Sequence, residues 1–125
     1  MKTVTFDYDD TISNKEVQDY AKQLISKGFN VMIVTSRYED SLKHRYPNSK
    51  PNSDIYHTAK ELGISKEHIK FTNQNLKSDE LKKLKSIVHI DNNINELMHL
   101  QGTNVKGVDV TRPGWKNQVN KKLGI

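Results

Sequence analysis

The chain has 125 residues, which predicts one domain spanning 1–125 with a modest core. With 34% hydrophobic and 28% charged residues and a net charge of +5, its surface suits water and also a phosphate-bearing partner such as nucleic acid. It has no cysteine, which excludes disulfides, thiolate metal sites and a cysteine nucleophile and points to a reducing cytoplasm; no apolar run approaches the ~20 residues of a membrane span, and Asp7, Asp9 and Asp10 interrupt any signal-peptide core.

Val4 and Phe6 mark a short first strand that runs into "DYDDT". Ser13 and Glu16 match a capping box, and Val17, Tyr20, Ala21, Leu24 and Ile25 then share one helical face up to Gly28. "NVMIVTSR" is a continuous apolar run of strand length, as expected for a strand buried on both faces. A short helix is expected over Glu39–Arg45, before Pro47, and "PNSKPNS" reads as a polar loop. Ile55, Tyr56, Ala59 and Leu62 form the next helical stripe, ended by Gly63, and "HIKFTN" is a weaker third strand. Ser78 is placed to cap a helix carrying Leu81 and Leu84, whose lysines 82, 83 and 85 are its wet side. "SIVHID" is a fourth strand. Asn93 with Glu96 resembles another capping box, with Ile94, Leu97 and Met98 on one face. "NVKGVDV" is a fifth strand, and Trp115 to Leu123 a last helix.

Strands alternating with helices predict an α/β chain: a single Rossmann-like domain, a five-stranded parallel sheet with helices on both faces. In open sheets of this kind ligands bind beyond the carboxyl ends of the strands. Those ends carry Asp7, Asp9, Asp10 and Thr11 after the first strand, and Thr35, Ser36 and Arg37 after the second. Asn73 and Lys77 follow the third, and Asp91, Asn92 and Asn93 follow the fourth. Asp10 reads as a turn or cap residue. The histidines, at 44, 57, 68, 89 and 99, show no metal-ligand spacing and read as surface or satisfied core positions; Trp115 reads as a packing residue.

"DYDDT", "VMIVTSR", Lys77 and "IVHIDNN", in this order, resemble the four motifs of the haloacid dehalogenase superfamily, most of whose members are phosphatases. The resemblance covers nearly the whole chain. It implies a Mg²⁺-dependent phosphomonoesterase with Asp7 as nucleophile, forming an aspartyl phosphate, and Asp9 as proton donor and acceptor. By the same resemblance Thr35 hydrogen-bonds a phosphoryl oxygen and Lys77 neutralises it, with Ser36 beside them on the substrate; Arg37 either joins them on the substrate or forms a surface ion pair. The implied Mg²⁺ ligands are the Asp7 carboxylate, the Asp9 carbonyl and the Asp91 carboxylate. Where many members carry a second acid after the position of Asp91, this chain reads "NNIN", so Asn92 or Asn95 would hold a metal-bound water and affinity for the ion should be weaker.

The chain enters a helix directly after Thr11, and between Arg37 and Lys77 it has room only for core elements. Neither kind of cap domain fits. The resemblance is to capless members, with open sites suited to bulky substrates such as a nucleotide or nucleic-acid end, or with a partner subunit as lid, which leaves oligomerisation open. Tyr38 to Ser53, with Lys43, His44, Arg45 and Lys50, would lie at that open edge and meet substrate phosphates. The alternative function is a phosphate- or nucleic-acid-binding module without turnover. A response-regulator receiver domain is excluded by the order of its acids, threonine and lysine.

Overall fold

The computed structural model describes residues 1–125. Five strands, β1 (Thr3–Phe6), β2 (Asn30–Thr35), β3 (Ile69–Phe71), β4 (Ser86–Asp91) and β5 (Lys106–Asp109), form one all-parallel sheet in the order β3-β2-β1-β4-β5. The helices are α1 (Lys15–Ser26), α2 (Ser53–Leu62), α3 (Ser78–Lys83), α4 (Ile94–Met98) and α5 (Trp115–Leu123). This is the predicted five-stranded α/β architecture. Each strand lies within its expected segment; β2 and β3 stop two residues short of the expected ends and β5 one, and β3 and β5 start one and two residues late. No helix is long and apolar enough to cross a membrane.

Side-chain alternation along the strands divides the core in two. Val4, Phe6, Ile33, Val88 and Ile90 face α1, α2 and α5, whose Leu24, Ile55 and Val119 complete a large apolar cluster. On the other face Val34 meets Leu81 of α3 together with Leu100 and Val105, a much smaller cluster. The strand positions beneath this thin layer include Thr5, Ser86 and His89, all buried and polar. The two short helices there cannot bury a fully apolar face, and the polar atoms satisfy one another instead. Thr5 Oγ1 lies 2.8 Å from Ser86 Oγ and 2.9 Å from His89 Nδ1.

The connection order places the functional edge. From β1 the chain winds outward through α1 and α2 to β3, then returns under α3 to place β4 on the other side of β1. The loops after β1 and β4 therefore diverge at a topological switch point. Asp7 and Asp91 stand on its two sides, one residue beyond β1 and at the last residue of β4, and both are buried.

Several local expectations are corrected. The Ser13–Glu16 capping box does not form: Asn14 occupies the cap position, with no side-chain bond. The chain from Asp7 instead makes a wide turn, Ile12 N donating to the Asp7 carbonyl and Ser13 N to that of Tyr8, and Ser13 Oγ accepts from Asp10 N. Asp10 takes a left-handed conformation (φ 59°), the turn role expected of it. The helix over Glu39–Arg45 shrinks to a single 3₁₀ turn, Asp40–Leu42, because the Asp40 carboxylate is drawn to Asn52 and Tyr56 at the start of α2. Ser78 does not cap α3; Lys77 takes that position. In α4, Asn93 does cap, accepting from Asn95 N and Glu96 N. Yet Ile94 and Met98 are exposed and Glu96 is buried, so the expected apolar face of that helix is not its inner one. Leu97 alone packs inward, where Gly107 of β5 leaves it room; a Cβ there would come within 2.8 Å of Leu97 Cδ2.

Candidate active site

Asp7 Oδ1 and Asp91 Oδ2 share one cation. Lys77 Nζ donates to Asp7 at 2.7 Å and to Asp91 at 2.8 Å. All three residues are buried, Lys77 only 2% exposed. The lysine reaches inward from just before α3, and its backbone N–H donates to the buried Glu96 carboxylate (3.0 Å), which fixes where the side chain starts. His89, two residues before Asp91 and so on the same face of β4, lies with Nε2 2.8 Å from Asp91 Oδ2. Burial lowers the His89 pKa. The neutral ring then donates from Nε2 to Asp91 and accepts at Nδ1 from Thr5. Asn93 N–H completes the Asp91 shell through Oδ1 (3.0 Å).

These contacts separate the two acids. Burial alone would raise the Asp91 carboxyl, but donation from His89 and the charge of Lys77 outweigh it and hold Asp91 well below the usual range. Asp7 has fewer donors: burial dominates, opposed by Lys77 and reinforced by the Asp91 charge, and its carboxyl is pushed up to about 7. Burial likewise works against the Lys77 charge, but the Asp7 and Asp91 carboxylates outweigh it and keep the ammonium protonated.

Asp9 points elsewhere. Its carboxylate takes a bidentate pair from Arg37, Nε at 3.0 Å and Nη2 at 2.7 Å, and Lys50 Nζ approaches at 3.4 Å. Arg37 also grips Asp54 with both terminal nitrogens (2.7 and 2.9 Å) and donates to the Pro51 carbonyl at 2.8 Å. All five of its N–H donors are then committed. Its guanidinium carbon sits 5.1 Å from the Tyr8 ring centre. The Arg37 hydrogen bond holds the Asp9 carboxyl below its ordinary range. Asp9, Ser36, Arg37, Tyr38, Ser49, Lys50 and Gln74 line a cavity of about 300 Å³ beside the acidic cluster.

The remaining sequence-predicted residues divide. Thr35 is buried at the end of β2, its Oγ1 accepting from Arg37 N at 3.3 Å. Ser36 holds the loop after β3 through its carbonyl, which accepts from Gln74 N (2.7 Å). Of the basic residues expected at the open edge, Lys43 is tied to its own loop, donating to the Lys50 carbonyl and to Ser49. Lys50 is the one that reaches the cavity. Asn92 lies at the cluster; Asn95 Cα is in α4 and its backbone N–H is used by the Asn93 cap.

An Mg²⁺ site fits the oxygens present. Asp7 Oδ2, the Asp9 carbonyl and Asp91 Oδ1 converge on one point, lying 2.8, 3.2 and 3.3 Å from the same terminal atom of the Asn92 amide. Three hard oxygen donors, two of them anionic, are the kind of set this cation takes. They are also the three ligands implied by the motifs.

No family model, curated protein or solved structure matches the chain.

His89 and Glu96 are absent from the sequence-predicted site. The signal for His89 was its two-residue spacing from Asp91 on a parallel strand, which places both on one face. In the sequence Glu96 matches half of a capping box, but folding gives its carboxylate to the Lys77 backbone N–H instead.

The Arg37 clamp also sets an acid limit. Asp54 is held below its ordinary pKa first by its hydrogen bonds to Arg37. A depressed folded pKa contributes stability above the unfolded value of about 3.9, and that contribution is lost as pH falls toward the folded pKa. Asp54→Asn is therefore expected to flatten the fall in melting temperature between pH ~5 and ~2.5. An acid limb as steep as that of the wild type would show that the pair carries no such linkage.

Proposed function

We propose that this chain is a Mg²⁺-dependent phosphomonoesterase that works through an aspartyl phosphate on Asp7. The observation that carries the reading is Lys77, buried between Asp7 and Asp91 at the switch point of the sheet. Desolvating two carboxylates and an ammonium costs several kcal/mol per ion before pairing offsets it. Perturbed acids in a crevice are what phosphoryl transfer uses.

An Asp7 oxygen attacks phosphorus, the new P–O bond forms as the ester P–O bond breaks, and the leaving alkoxide takes a proton. Water then attacks the acyl phosphate, regenerating the carboxylate and releasing inorganic phosphate. Lys77 offsets charge beside Asp7 throughout. A bound Mg²⁺, held by Asp7, Asp91 and the Asp9 carbonyl, would supply further neutralisation of the phosphoryl oxygens. Thr35 and Ser36, at the end of β2, would supply the hydrogen bonds to the phosphoryl oxygens. The proton comes from Asp9, which must first leave Arg37 and take up a proton from solvent; Asp54 and the Pro51 carbonyl remain on the guanidinium when it does, so Arg37 is not stranded.

The open cavity with Lys50 at its mouth, and the net charge of +5, support a nucleotide or nucleic-acid end as substrate. The cysteine-free composition supports a cytoplasmic location. One observation favours a second reading, a phosphate- or nucleic-acid-binding module without turnover: the bidentate Asp9–Arg37 pair keeps the proton donor ionised. Hydrolysis of a generic aryl phosphate, with Mg²⁺ and with chelator, separates the two. Mg²⁺-dependent release of phosphate is expected. Saturable phosphate binding with no turnover would establish the second reading.

A further inference from the structure

Asn92 stands where many members of the resembled family carry an acid, and its side chain reaches the point where the three oxygens meet. With the amide nitrogen turned inward, its two hydrogens face three acceptors: Asp7 Oδ2 at 2.8 Å, and the Asp9 carbonyl and Asp91 Oδ1 at 3.2 and 3.3 Å, which share the second. The opposite orientation would set an amide oxygen against three acceptors with only the Thr11 hydroxyl, 3.4 Å away, to donate to it, so the hydrogen-bond network assigns the nitrogen inward. The inward NH₂ group is thus a donor with a partial positive charge, placed among oxygens that otherwise repel.

We infer that the Asn92 amide is a built-in stand-in for the divalent cation: it holds the three oxygens together in the metal-free chain, and a metal ion must displace it to bind. This rests on the metal site of the proposed function, and it adds to that site a competitor supplied by the chain. Lys77 cannot do the same, because it sits on the other oxygen of each acid, Asp7 Oδ1 and Asp91 Oδ2. The two donors therefore divide the cluster. Lys77 is a permanent counterion on one side, and Asn92 is a removable one on the side a cation would enter.

A ligand role and a competitor role predict opposite responses to truncation. Melting temperatures of wild type, Asn92→Ala and Asn92→Asp are compared in chelator and across a Mg²⁺ titration, with Asp91→Asn as the control for the metal site. In chelator, Asn92→Ala is expected to melt below wild type, because the Asp7 carboxylate loses its shortest donor on that side, and Asn92→Asp lower still, since it replaces a donor by a third acid. In the titration, Asn92→Ala is expected to bind Mg²⁺ roughly tenfold more tightly than wild type, the scale of one hydrogen bond to a charged group. Equal metal-free melting of Asn92→Ala and wild type overturns the proposal. So does weaker Mg²⁺ binding by Asn92→Ala, which would make the side chain a ligand. If neither wild type nor the Asn92 variants respond to Mg²⁺ any more than Asp91→Asn does, the metal site itself fails and the competition with it. That failure is recognisable because the differences in chelator are read without metal.

Discussion

Asp7→Asn is expected to remove aryl phosphate turnover, by roughly 10⁴-fold or more, the scale of losing a covalent nucleophile. An amide nitrogen or oxygen cannot form the acyl phosphate, and no other carboxylate is placed to replace it. Asp91 is enclosed by Lys77, His89 and Asn93, and Asp9 is held by Arg37. The fold should survive. Burial already works against the Asp7 charge and pushes its carboxyl up to about 7, so a neutral side chain of the same size is easily accommodated. Lys77 keeps Asp91 as its counterion. The measurement pairs initial rates with melting temperature, so that loss of activity is not mistaken for loss of structure. Turnover retained at the wild-type rate would remove Asp7 as nucleophile.

The second large effect is on stability. Lys77→Met keeps the length of the side chain and deletes its charge. Two buried carboxylates are then left with no cation between them, and breaking a buried ion cluster by removing one member costs about 3–5 kcal/mol. Against a typical total of about 5–15 kcal/mol, that brings a small domain close to unfolding. Urea denaturation should show the midpoint fall, and Asp7→Asn in the same chain should restore part of it, because one of the stranded charges is gone. The double-mutant cycle then gives a coupling energy for the pair. A Lys77→Met midpoint equal to that of the wild type would mean that solvent or neighbouring donors already screen the two acids.

Much of this architecture was legible locally. A continuous apolar run such as "VMIV" identifies a strand buried on both faces, and the stripe Val17, Tyr20, Ala21 and Leu24 identifies a helix, because each pattern repeats within a few residues. Local signals failed where a distant group competed for the same atoms. Ser13 was taken from its helix by the wide turn after Asp7, Asp40 was drawn to Asn52 and Tyr56, and Glu96 was claimed by the backbone of Lys77. A capping box is a preference of order 1 kcal/mol, and one buried charge-assisted bond outweighs it.

For the candidate site, the sequence alone determined which residues stand at the carboxyl edge, since strand ends and parallel winding place Asp7, Thr35, Lys77 and Asp91 there whatever their rotamers. It also determined that an acidic pair, a hydroxyl and a lysine occur in an order resembling known phosphoryl-transfer motifs. Tertiary structure decided how they pair. Only the pairing of β1 with β4, across more than 80 residues of chain, sets Lys77 between Asp7 and Asp91. The approach of α2 makes Arg37 a clamp on Asp9 and Asp54, where the sequence left a substrate contact and a surface ion pair equally open. The thin second layer buries His89 against Asp91. The physical reason is range: side-chain periodicity is set by neighbours three or four residues away, whereas the partner of a buried charge is whichever group the completed fold brings within about 3 Å of it.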